Sequence, residues 1–381
     1  MSAPLGGLSI KAFLTEHWQK TPCLIRQAFP GFRPELTMDD VAGLACEEFA
    51  ESRLISGSYP AHDWSLQHGP FTERSLRRLP ESNWTLLVQD VEKHYPPLQT
   101  LLAKFDFLPG WRLDDLMISV AAPGGSVGPH CDQYDVFLLQ ADGRRRWQVA
   151  ASFDPTLQGN PELNVLRSFA PEQEWELQPG DMLYVPPGVA HHGVALDGGM
   201  TWSIGLRAPS QAELLVALGE WLAEKAGEGE RYTDGLLDAP QRPGEISTSA
   251  LEDLRNLMAR PMSVAGETDG FLSGFLTHYR LAHPPVAPAK QLDETVLAQL
   301  LTKGATLQRN PWTRLAWIER DGRARLFASG DEYACSVDLA RQVCSTPMQL
   351  PPALAKDIAC LRLVGQLLNG GHLLLEEPPP R

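Results

Sequence analysis

The sequence predicts an α+β protein: a sandwich or barrel of short strands, followed by a helical segment and a small winged-helix-like domain. Three observations predict this order. Short apolar runs separated by Gly and Pro turns fill the chain up to residue 209, apolar residues at helical spacing follow, and helix and strand patterns alternate beyond a Pro-rich stretch at 283–289. We therefore divide the chain into residues 1–209, 210–285 and 286–381.

The first part predicts a core made of strands, because its apolar runs are short and end at Gly or Pro, the residues typical of tight turns. The predicted strands are Leu116–Ala121, Val136–Leu139, Arg146–Ala150, Met182–Val185 and Thr201–Leu206. Many short strands joined by turns favour a sandwich or a barrel.

The second part predicts helices with wide apolar faces. Ser210 and Glu213 have the spacing of a capping box, Ser249 opens a second helix of the same kind, and Phe271–Tyr279 forms a third. The apolar positions of the first helix are Leu214, Leu215, Leu218, Trp221 and Leu222. Such faces pack within their own domain or pair between subunits, and the second alternative predicts a homodimer.

The third part predicts a small domain in which helices and strands alternate after the stiff Pro-rich linker. The predicted elements are a helix at Leu292–Thr302, strands at Thr313–Ile318 and Arg323–Ala328, a helix at Pro352–Leu368 and a strand at His372–Leu375. This order indicates a winged-helix-like domain.

Composition narrows the classes of partner. The formal net charge is −14, from 33 Lys and Arg against 47 Asp and Glu, so direct nucleic-acid binding is disfavoured and a basic protein partner is favoured. The six cysteines form no C-x-x-C pair, which indicates reduced thiols. We find no apolar run long enough for a membrane span and no signal peptide, and we expect a cytoplasmic protein with no membrane partner.

Residues 128–135 contain a histidine and an aspartate two positions apart, His130 and Asp132. Side chains at positions i and i+2 of a strand point to the same face, so both would point into a barrel. One imidazole, one carboxylate and a second imidazole from a distant strand form the facial triad of non-heme Fe(II) oxygenases. The pair alone is weak support, because most such triplets bind no metal.

The second imidazole is predicted at His191. The spacing of Pro186, Gly188 and His191 matches the second cupin motif, a strand, a Pro-x-Gly turn and a His on the returning strand. This spacing selects His191 rather than His192. The alternative is that both histidines form a polar strand edge, but the two motifs occur in the expected order along the chain.

A basic triplet, Arg144 to Arg146, opens the strand that contains Trp147. Alternation would turn Arg145 and Trp147 to one face and the other two arginines to the opposite face. A buried arginine is costly unless it meets an anion, and a dicarboxylate cosubstrate on the iron would provide one through a guanidinium–carboxylate pair.

The chain resembles a known family along nearly its whole length. The matching segments are 16–20 (EHWQK), 114–119 (DDLMIS), 128–137 (GPHCDQYDVF), 143–147 (GRRRW) and 203–209 (SIGLRAP). They are similar to segments of the bacterial JmjC-type ribosomal oxygenases, in particular the YcfD group, which hydroxylates an arginine of the sixteenth large-subunit ribosomal protein. The resemblance implies a double-stranded β-helix (JmjC/cupin barrel), a helical dimerisation segment and a winged-helix-like C-terminal domain.

The same resemblance implies roles for eight residues and a set of cofactors. The iron ligands would be His130, Asp132 and His191; the residues that bind 2-oxoglutarate would be Arg145 and Ser119; and those that grip the substrate arginine would be Asp115, Met117 and Tyr134. Fe(II) would be the cofactor, with 2-oxoglutarate and O2 as cosubstrates. The reaction would be hydroxylation of the arginine β-carbon in a basic large-subunit ribosomal protein.

Two other functions fit parts of this pattern. A JmjC-type demethylase shares the iron chemistry and differs in the substrate pocket. A non-catalytic cupin-like binding protein would keep the barrel without turnover. The presence of Arg145 beside the three metal-ligand positions argues against the second alternative.

Overall fold

The computed structural model describes residues 3–159, 162–226, 229, 231–233, 246–259, 268–278, 282–345, 348, 350 and 357–376. The chain divides into two compact units, Met1–Ala208 and Pro209–Arg381. The division into three parts at residues 209 and 285 stays a prediction.

The first unit combines strands with short helices. Its strands are β1 (Cys23–Ile25), β2 (Ser52–Ser56), β3 (Ser65–His68), β4 (Trp84–Val88), β5 (Leu113–Ala121), β6 (His130–Cys131), β7 (Val136–Asp142), β8 (Arg145–Ala150), β9 (Gln173–Leu177), β10 (Met182–Val185), β11 (Ala190–Ala195) and β12 (Gly199–Leu206). Its α-helices are α1 (Ile10–Glu16), α2 (Met38–Leu44), α3 (Glu73–Leu76), α4 (Val91–His94) and α5 (Gln99–Leu102). Each of the five predicted strands lies within one of these strands.

Two antiparallel sheets form the barrel. The larger has the order β1-β10-β7-β12-β5-β4-β2-β3, and the smaller has the order β6-β11-β8-β9. The side chains of the larger sheet alternate between its two faces. On one face, Ile118 and Trp202 pack in the main apolar core together with Phe13 of α1, and on the other face Leu138 packs with Trp147 of the smaller sheet. The second face is therefore the barrel interior, and it carries the candidate site.

Asp135 is fully buried and ties the N-terminal segment to the barrel. Its carboxylate accepts hydrogen bonds from Arg112 at 2.7 Å, from Gln19 at 3.2 Å and from the hydroxyl of Tyr184. The ring of Trp18 stacks on Tyr184 with centroids 5.7 Å apart. The segments 16–20 and 128–137 thus meet through the hydrogen bond from Gln19 to Asp135, which is also the buried ion-pair partner of Arg112.

We expect Asp135→Ala to destabilise the protein strongly, because the guanidinium of Arg112 would stay buried without its partner. Breaking a buried pair in this way costs about 3–5 kcal/mol. Asp197→Ala, which removes an exposed partner of Arg144, is the matched control and should cost less than about 1 kcal/mol. Urea denaturation of both variants measures the difference, and equal losses would contradict a structural role for Asp135.

The second unit contains the remaining elements. They are α6 (Gln211–Ala226), α7 (Thr248–Ala259), α8 (Thr268–His278), α9 (Glu294–Thr302), β13 (Thr306–Arg309), β14 (Leu315–Arg320), β15 (Arg323–Ala328), β16 (Asp331–Cys335), α10 (Val337–Cys344), α11 (Ile358–Asn369) and β17 (Leu373–Glu376). The sheets are β13-β17 and β14-β15-β16, and their core includes Leu297, Leu326 and Val364. Helix α8 contacts the three-stranded sheet, where Thr277 accepts a hydrogen bond from the backbone of Gly330 at 3.0 Å.

The predicted capping box at Ser210 is confirmed, since Ser210 and Glu213 exchange backbone-to-side-chain hydrogen bonds of 2.8 and 3.1 Å. The cap of the second helix was predicted wrongly at Ser249. The helix begins at Thr248, and the Ser247 hydroxyl accepts from the backbone of Ala250 at 3.2 Å. The end of the third predicted helix at residue 279 lies outside the described residues.

In the C-terminal part, three predicted starts differ from the structure by one or two residues. The helix predicted from Leu292 begins at Glu294, where Asp293 caps it, and the strand predicted from His372 begins at Leu373. The strand predicted from Thr313 begins at Leu315, because the Thr313 backbone donates to the Asn310 carbonyl in a turn. The helix predicted from Pro352 is described from Ile358, where Asp357 caps it, and residues 351–356 lie outside the described residues. No helix in the described part of the chain is both long and apolar enough to span a membrane.

Candidate metal centre

Strands β6 and β11 bring the three predicted ligands together. His191 lies opposite His130 in the register of these two strands, and Asp132 follows β6 directly. One carboxylate oxygen of Asp132 lies 3.8 Å from Nε2 of His130 and 3.6 Å from Nε2 of His191. Within the described residues, this is the one group of three His, Cys, Asp or Glu side chains that could hold a metal ion.

Both imidazoles are oriented by backbone carbonyls. Nδ1 of His130 lies 2.9 Å from the Gly128 carbonyl, and Nδ1 of His191 lies 3.2 Å from the Val189 carbonyl. If each Nδ1–H donates to its carbonyl, each Nε2 keeps its lone pair for a metal, as metal-bound histidines require. Burial, and then the charge of His130, lowers the pKa of His191 to about 4, which favours the neutral imidazole. The donor set therefore fits a divalent metal.

The neighbouring residues Cys131 and His192 point away from this centre, as alternation predicts. Cys131 packs with the apolar cluster that includes Phe169. The ring of His192 lies between Tyr59 and Phe169, with centroid separations of 5.6 and 6.0 Å. The structure thus separates His191 from His192 by the face of β11 that each occupies.

Arg145 is a buried cation without an ion-pair partner among the described residues. It is 4% exposed, and burial lowers its pKa to about 10. Its guanidinium lies 3.2 Å from the Gly193 carbonyl and 3.4 Å from the Thr201 hydroxyl, while its Nε has no hydrogen-bond partner in the ranges that the structure describes. Leaving a charge uncompensated in this way is costly, so the site fits an anionic ligand.

Gly193 makes room for this cation. A Cβ at this position would lie 2.6 Å from the ring of Trp147 and 2.7 Å from Nε of Arg145, so a larger residue would displace both side chains. The guanidinium carbon of Arg145 lies 5.1 Å from the Trp147 ring centroid. Sequence reasoning missed Gly193, although its place two residues after His191 was an available signal.

Ser119 lies on β5 in the same cross-sheet row as two further polar residues. It is opposite Thr201 of β12, which is opposite Gln140 of β7. The Thr201 hydroxyl lies 3.0 Å from Gln140 Oε1, and Ser119 donates to the Thr201 carbonyl at 3.2 Å. Thr201 and Gln140 were not predicted, because only the strand register shows that they share a row with Ser119.

Asp115, Met117 and Ser119 follow one another along the inner face of β5. Met117 packs in the apolar cluster with Leu87 and Val165. Burial raises the pKa of Asp115 well above its usual range, and the charges of Glu92, Asp114 and Asp90 raise it further. A cationic guest would relieve this repulsion.

Tyr134 is close enough to Asp132 of the metal group and to Asp115 of β5 for both charges to act on its hydroxyl. It is 40% exposed, and its pKa is raised by partial burial and then by the charges of Asp132 and Asp115. Asp115 and Met117 of β5, with Tyr134 nearby at the surface, offer a carboxylate, a thioether and an aromatic ring.

A 2-His-1-carboxylate group inside an antiparallel barrel, with a buried cation beside it, is typical of one class of metalloenzyme. The group leaves coordination positions open on one side of a metal, the arrangement of non-heme Fe(II) oxygenases. The cation fits the far carboxylate of a dicarboxylate cosubstrate. Fold and site thus define a cupin-type, 2-oxoglutarate-dependent Fe(II) oxygenase.

Comparison with known proteins places the chain within this class. A JmjC domain model matches residues 100–214, and a ROXA-like winged-helix model matches residues 268–373. The ribosomal protein uL16 3-hydroxylase of Escherichia coli (strain K12) is 34% identical over 372 residues, which are 96% of this chain and 97% of that protein.

Two solved structures show the same architecture. The structure of E. coli YcfD has a TM-score of 0.85 at 31% identity and covers 99% of this chain and 100% of its own. YcfD in complex with cobalt and 2-oxoglutarate has a TM-score of 0.81 at 32% identity and covers 97% of this chain and 99% of its own.

The chain belongs to the JmjC-type ribosomal oxygenases. It is a 2-oxoglutarate-dependent oxygenase that uses Fe(II), and the predicted family, fold class and cofactors are confirmed. The winged-helix match begins at residue 268, upstream of the predicted boundary at 286.

Proposed function

We propose that this enzyme hydroxylates the β-carbon of an arginine in a large-subunit ribosomal protein, the counterpart of uL16. The observation that carries the proposal is that the barrel interior holds three kinds of group: a metal-ligand group, the buried cation Arg145, which has no ion pair with any described residue, and Asp115, a half-buried carboxylate whose neighbours are acidic. The name of the E. coli relative, a uL16 3-hydroxylase, supports the choice of substrate.

His130, Asp132 and His191 would hold Fe(II) through two imidazole nitrogens and one carboxylate oxygen. Bound Fe(II) supplies the activation of O2 that is coupled to the decarboxylation of 2-oxoglutarate to succinate and carbon dioxide. The chain's contribution is to orient the ligands: the Gly128 and Val189 carbonyls fix the two rings before metal binds.

Arg145 and Ser119 would bind the carboxylate of 2-oxoglutarate that lies farther from the iron. Arg145 has no ion pair with any described residue and lies beside the Thr201 hydroxyl. A carboxylate would satisfy the guanidinium and accept a hydrogen bond from Ser119, whose hydroxyl otherwise bonds to a backbone carbonyl. Charge pairing with the buried Arg145 favours a dianion over a neutral acid.

Asp115, Met117 and Tyr134 would bind the substrate arginine. A guanidinium would pair with Asp115 in a region where four carboxylates, those of Asp90, Glu92, Asp114 and Asp115, outweigh the nearby Lys93. Met117 and the Tyr134 ring would flank the methylene stem and direct its β-carbon toward the metal group. The net charge of −14 favours association with a basic protein.

We expect Asp115→Asn to raise the KM for a substrate peptide about thirtyfold, since a hydrogen bond to a charged group is worth about 1.5–3 kcal/mol. In the wild type, the pKa of Asp115 is raised, so the carboxylate ionises only as pH increases. The peptide KM should therefore fall with rising pH in the wild type, and this dependence should be lost in Asp115→Asn.

Asp39→Asn, at an exposed position of α2, is the control for this experiment and should keep the wild-type pH profile. Steady-state kinetics with a ribosomal-protein peptide at a series of pH values from acid to alkaline gives both readouts. An unchanged KM in Asp115→Asn would remove Asp115 from the substrate site.

We further propose a cytoplasmic homodimer that pairs through residues 210–285 and carries its winged-helix-like domain at 286–381. Its support is the apolar surface of α6 and α7, where Val216 is 62% and Met258 is 70% exposed. A ribosomal-protein substrate would place the enzyme in the cytoplasm. Sedimentation velocity of the purified chain tests the dimer, and a monomer at micromolar concentration would contradict it.

A further inference from the structure

Two polar side chains on the inner face of the larger sheet have no assigned role. Arg53 of β2 lies opposite Leu87 of β4, which lies opposite Ser119 of β5. Residues opposite each other across neighbouring strands point to the same face, so Arg53 is in the row that contains Ser119. Arg53 therefore faces the barrel interior, two strands away from the 2-oxoglutarate site.

Gln89 shares this face. It follows β4 directly and continues the ladder, because its backbone N–H donates to the Glu51 carbonyl at 3.0 Å. Alternation places it with Leu87, which packs with Met117 in the apolar cluster of the inner face. One step along the register from the Val88–Ile118 pair, Gln89 is next to Met117.

Both side chains carry a buried polar atom that has no hydrogen-bond partner in the described part of the chain. For Arg53 the atom is the donor Nε, and for Gln89 it is the acceptor Oε1. Arg53 also forms no ion pair with any residue in the described ranges. A buried polar atom without a partner is destabilising, so a bound group that supplies partners would stabilise both.

The position of Arg53 connects this pair to the proposed substrate site. Leu87, which lies opposite Arg53, packs with Met117 in the apolar cluster of the inner face. Gln89 is next to Met117 in the register of β4 and β5. Arg53 and Gln89 thus border the region of Met117 on the side of the outer strands β2 and β3.

We propose that Arg53 and Gln89 form a subsite for the main chain of the substrate polypeptide, next to the residue that is hydroxylated. The Arg53 guanidinium donates to a peptide carbonyl, and Gln89 Oε1 accepts from a peptide N–H. This inference rests on the proposed function, because it requires a polypeptide substrate whose side chain lies between Met117 and Tyr134.

A peptide group fits the pair better than a carboxylate does. Free polar atoms of opposite kind, one donor and one acceptor, match the carbonyl and N–H that every extended peptide presents along one edge. A carboxylate would satisfy Arg53 but would face the Gln89 oxygen with a second acceptor. Recognition of the main chain also explains why a cation, Arg53, lies in a site that binds a basic protein. The Arg53 guanidinium would bind a neutral peptide carbonyl and not a charged side chain.

The test compares Arg53→Met, Gln89→Met and the double variant with the wild type and with Arg74→Met, a control at an exposed arginine of α3. The probe is a uL16 peptide that spans the hydroxylated residue. Each single variant should raise the peptide KM about tenfold, equivalent to about 1.4 kcal/mol, while the KM for 2-oxoglutarate keeps its wild-type value. The double variant should lose less than the product of the two, because both groups hold one peptide segment.

Peptides in which single amides near the target residue are replaced by esters identify the N–H. The ester that removes the N–H bound by Gln89 should raise the peptide KM of the wild type but not that of Gln89→Met. This comparison does not use Arg53→Met, so it remains valid if that variant does not fold. The inference would be overturned if both single variants kept the wild-type peptide KM. It would also be overturned if they raised the KM for 2-oxoglutarate and not the KM for the peptide. Failure of the wild type to add oxygen to the unmodified peptide would instead overturn the proposed function.

Discussion

Replacing His191 by alanine is expected to reduce metal affinity and 2-oxoglutarate turnover by more than about a hundredfold. Removing a residue that only supports a metal ligand already costs about 10–100-fold, and a ligand contributes more. His191 is 2% exposed, and its Nε2 lies 3.6 Å from Asp132, so alanine would leave a buried gap where the ligand atom lies. Calorimetric titration with Co²⁺ or anaerobic Fe(II) measures the loss of affinity.

His192→Ala is the matched control, since it removes the adjacent imidazole from the opposite face of β11. It should bind one metal ion per chain with an affinity near that of the wild type, although the space between Tyr59 and Phe169 would lower its stability. The reverse outcome, with metal binding lost in His192→Ala and kept in His191→Ala, would show that the cupin-motif spacing selects the wrong histidine.

Arg145→Met is expected to raise the KM for 2-oxoglutarate about a hundredfold, because truncating one partner of a buried charge pair costs about 2–5 kcal/mol. The same change should stabilise the ligand-free protein. Burial lowers the pKa of Arg145 to about 10, so the cation is held at a cost that methionine avoids. Without 2-oxoglutarate, the variant should therefore melt at a higher temperature than the wild type. On addition of 2-oxoglutarate, its melting temperature should rise less than that of the wild type.

Arg144→Met is the control for this pair of effects. Arg144 points to the opposite face and pairs with Asp197 and Glu176 at the surface, so its removal should change neither the KM nor the ligand-induced shift in melting temperature. Thermal melting with and without 2-oxoglutarate and metal gives both readouts. A full ligand-induced shift in Arg145→Met would show that the cosubstrate binds elsewhere.

Much of the metal centre could be predicted because its signals are local. The i, i+2 spacing of His130 and Asp132 needs only strand alternation, and the Pro-x-Gly turn places His191 relative to its own strand. The same alternation predicted that Arg145 and Trp147 lie on one face of their strand and Arg144 and Arg146 on the other. These patterns depend on few residues, so they remain readable without knowledge of the distant chain.

The residues that were missed depend on the register between distant strands. Thr201 and Gln140 share a row with Ser119, and Arg53 joins it through β4, but no local pattern specifies which residues of β2, β4, β5 and β12 face one another. Short strands such as β3, with exposed polar residues, also lack the apolar periodicity that predicts a strand. Helix α8 lies in the predicted dimerisation segment, and only the structure shows that it also contacts the sheet of its own unit.

The most direct test of the proposed function is mass spectrometry of the ribosomal protein after incubation with the enzyme, Fe(II), 2-oxoglutarate and O2. Wild type should add the mass of one oxygen atom to one arginine, with fragment ions that place it on the side chain, and should release one succinate for each oxygen added. His130→Ala should give unmodified protein. Loss of methyl groups from a methylated peptide with release of formaldehyde, or no change with any ribosomal protein, would contradict the assignment.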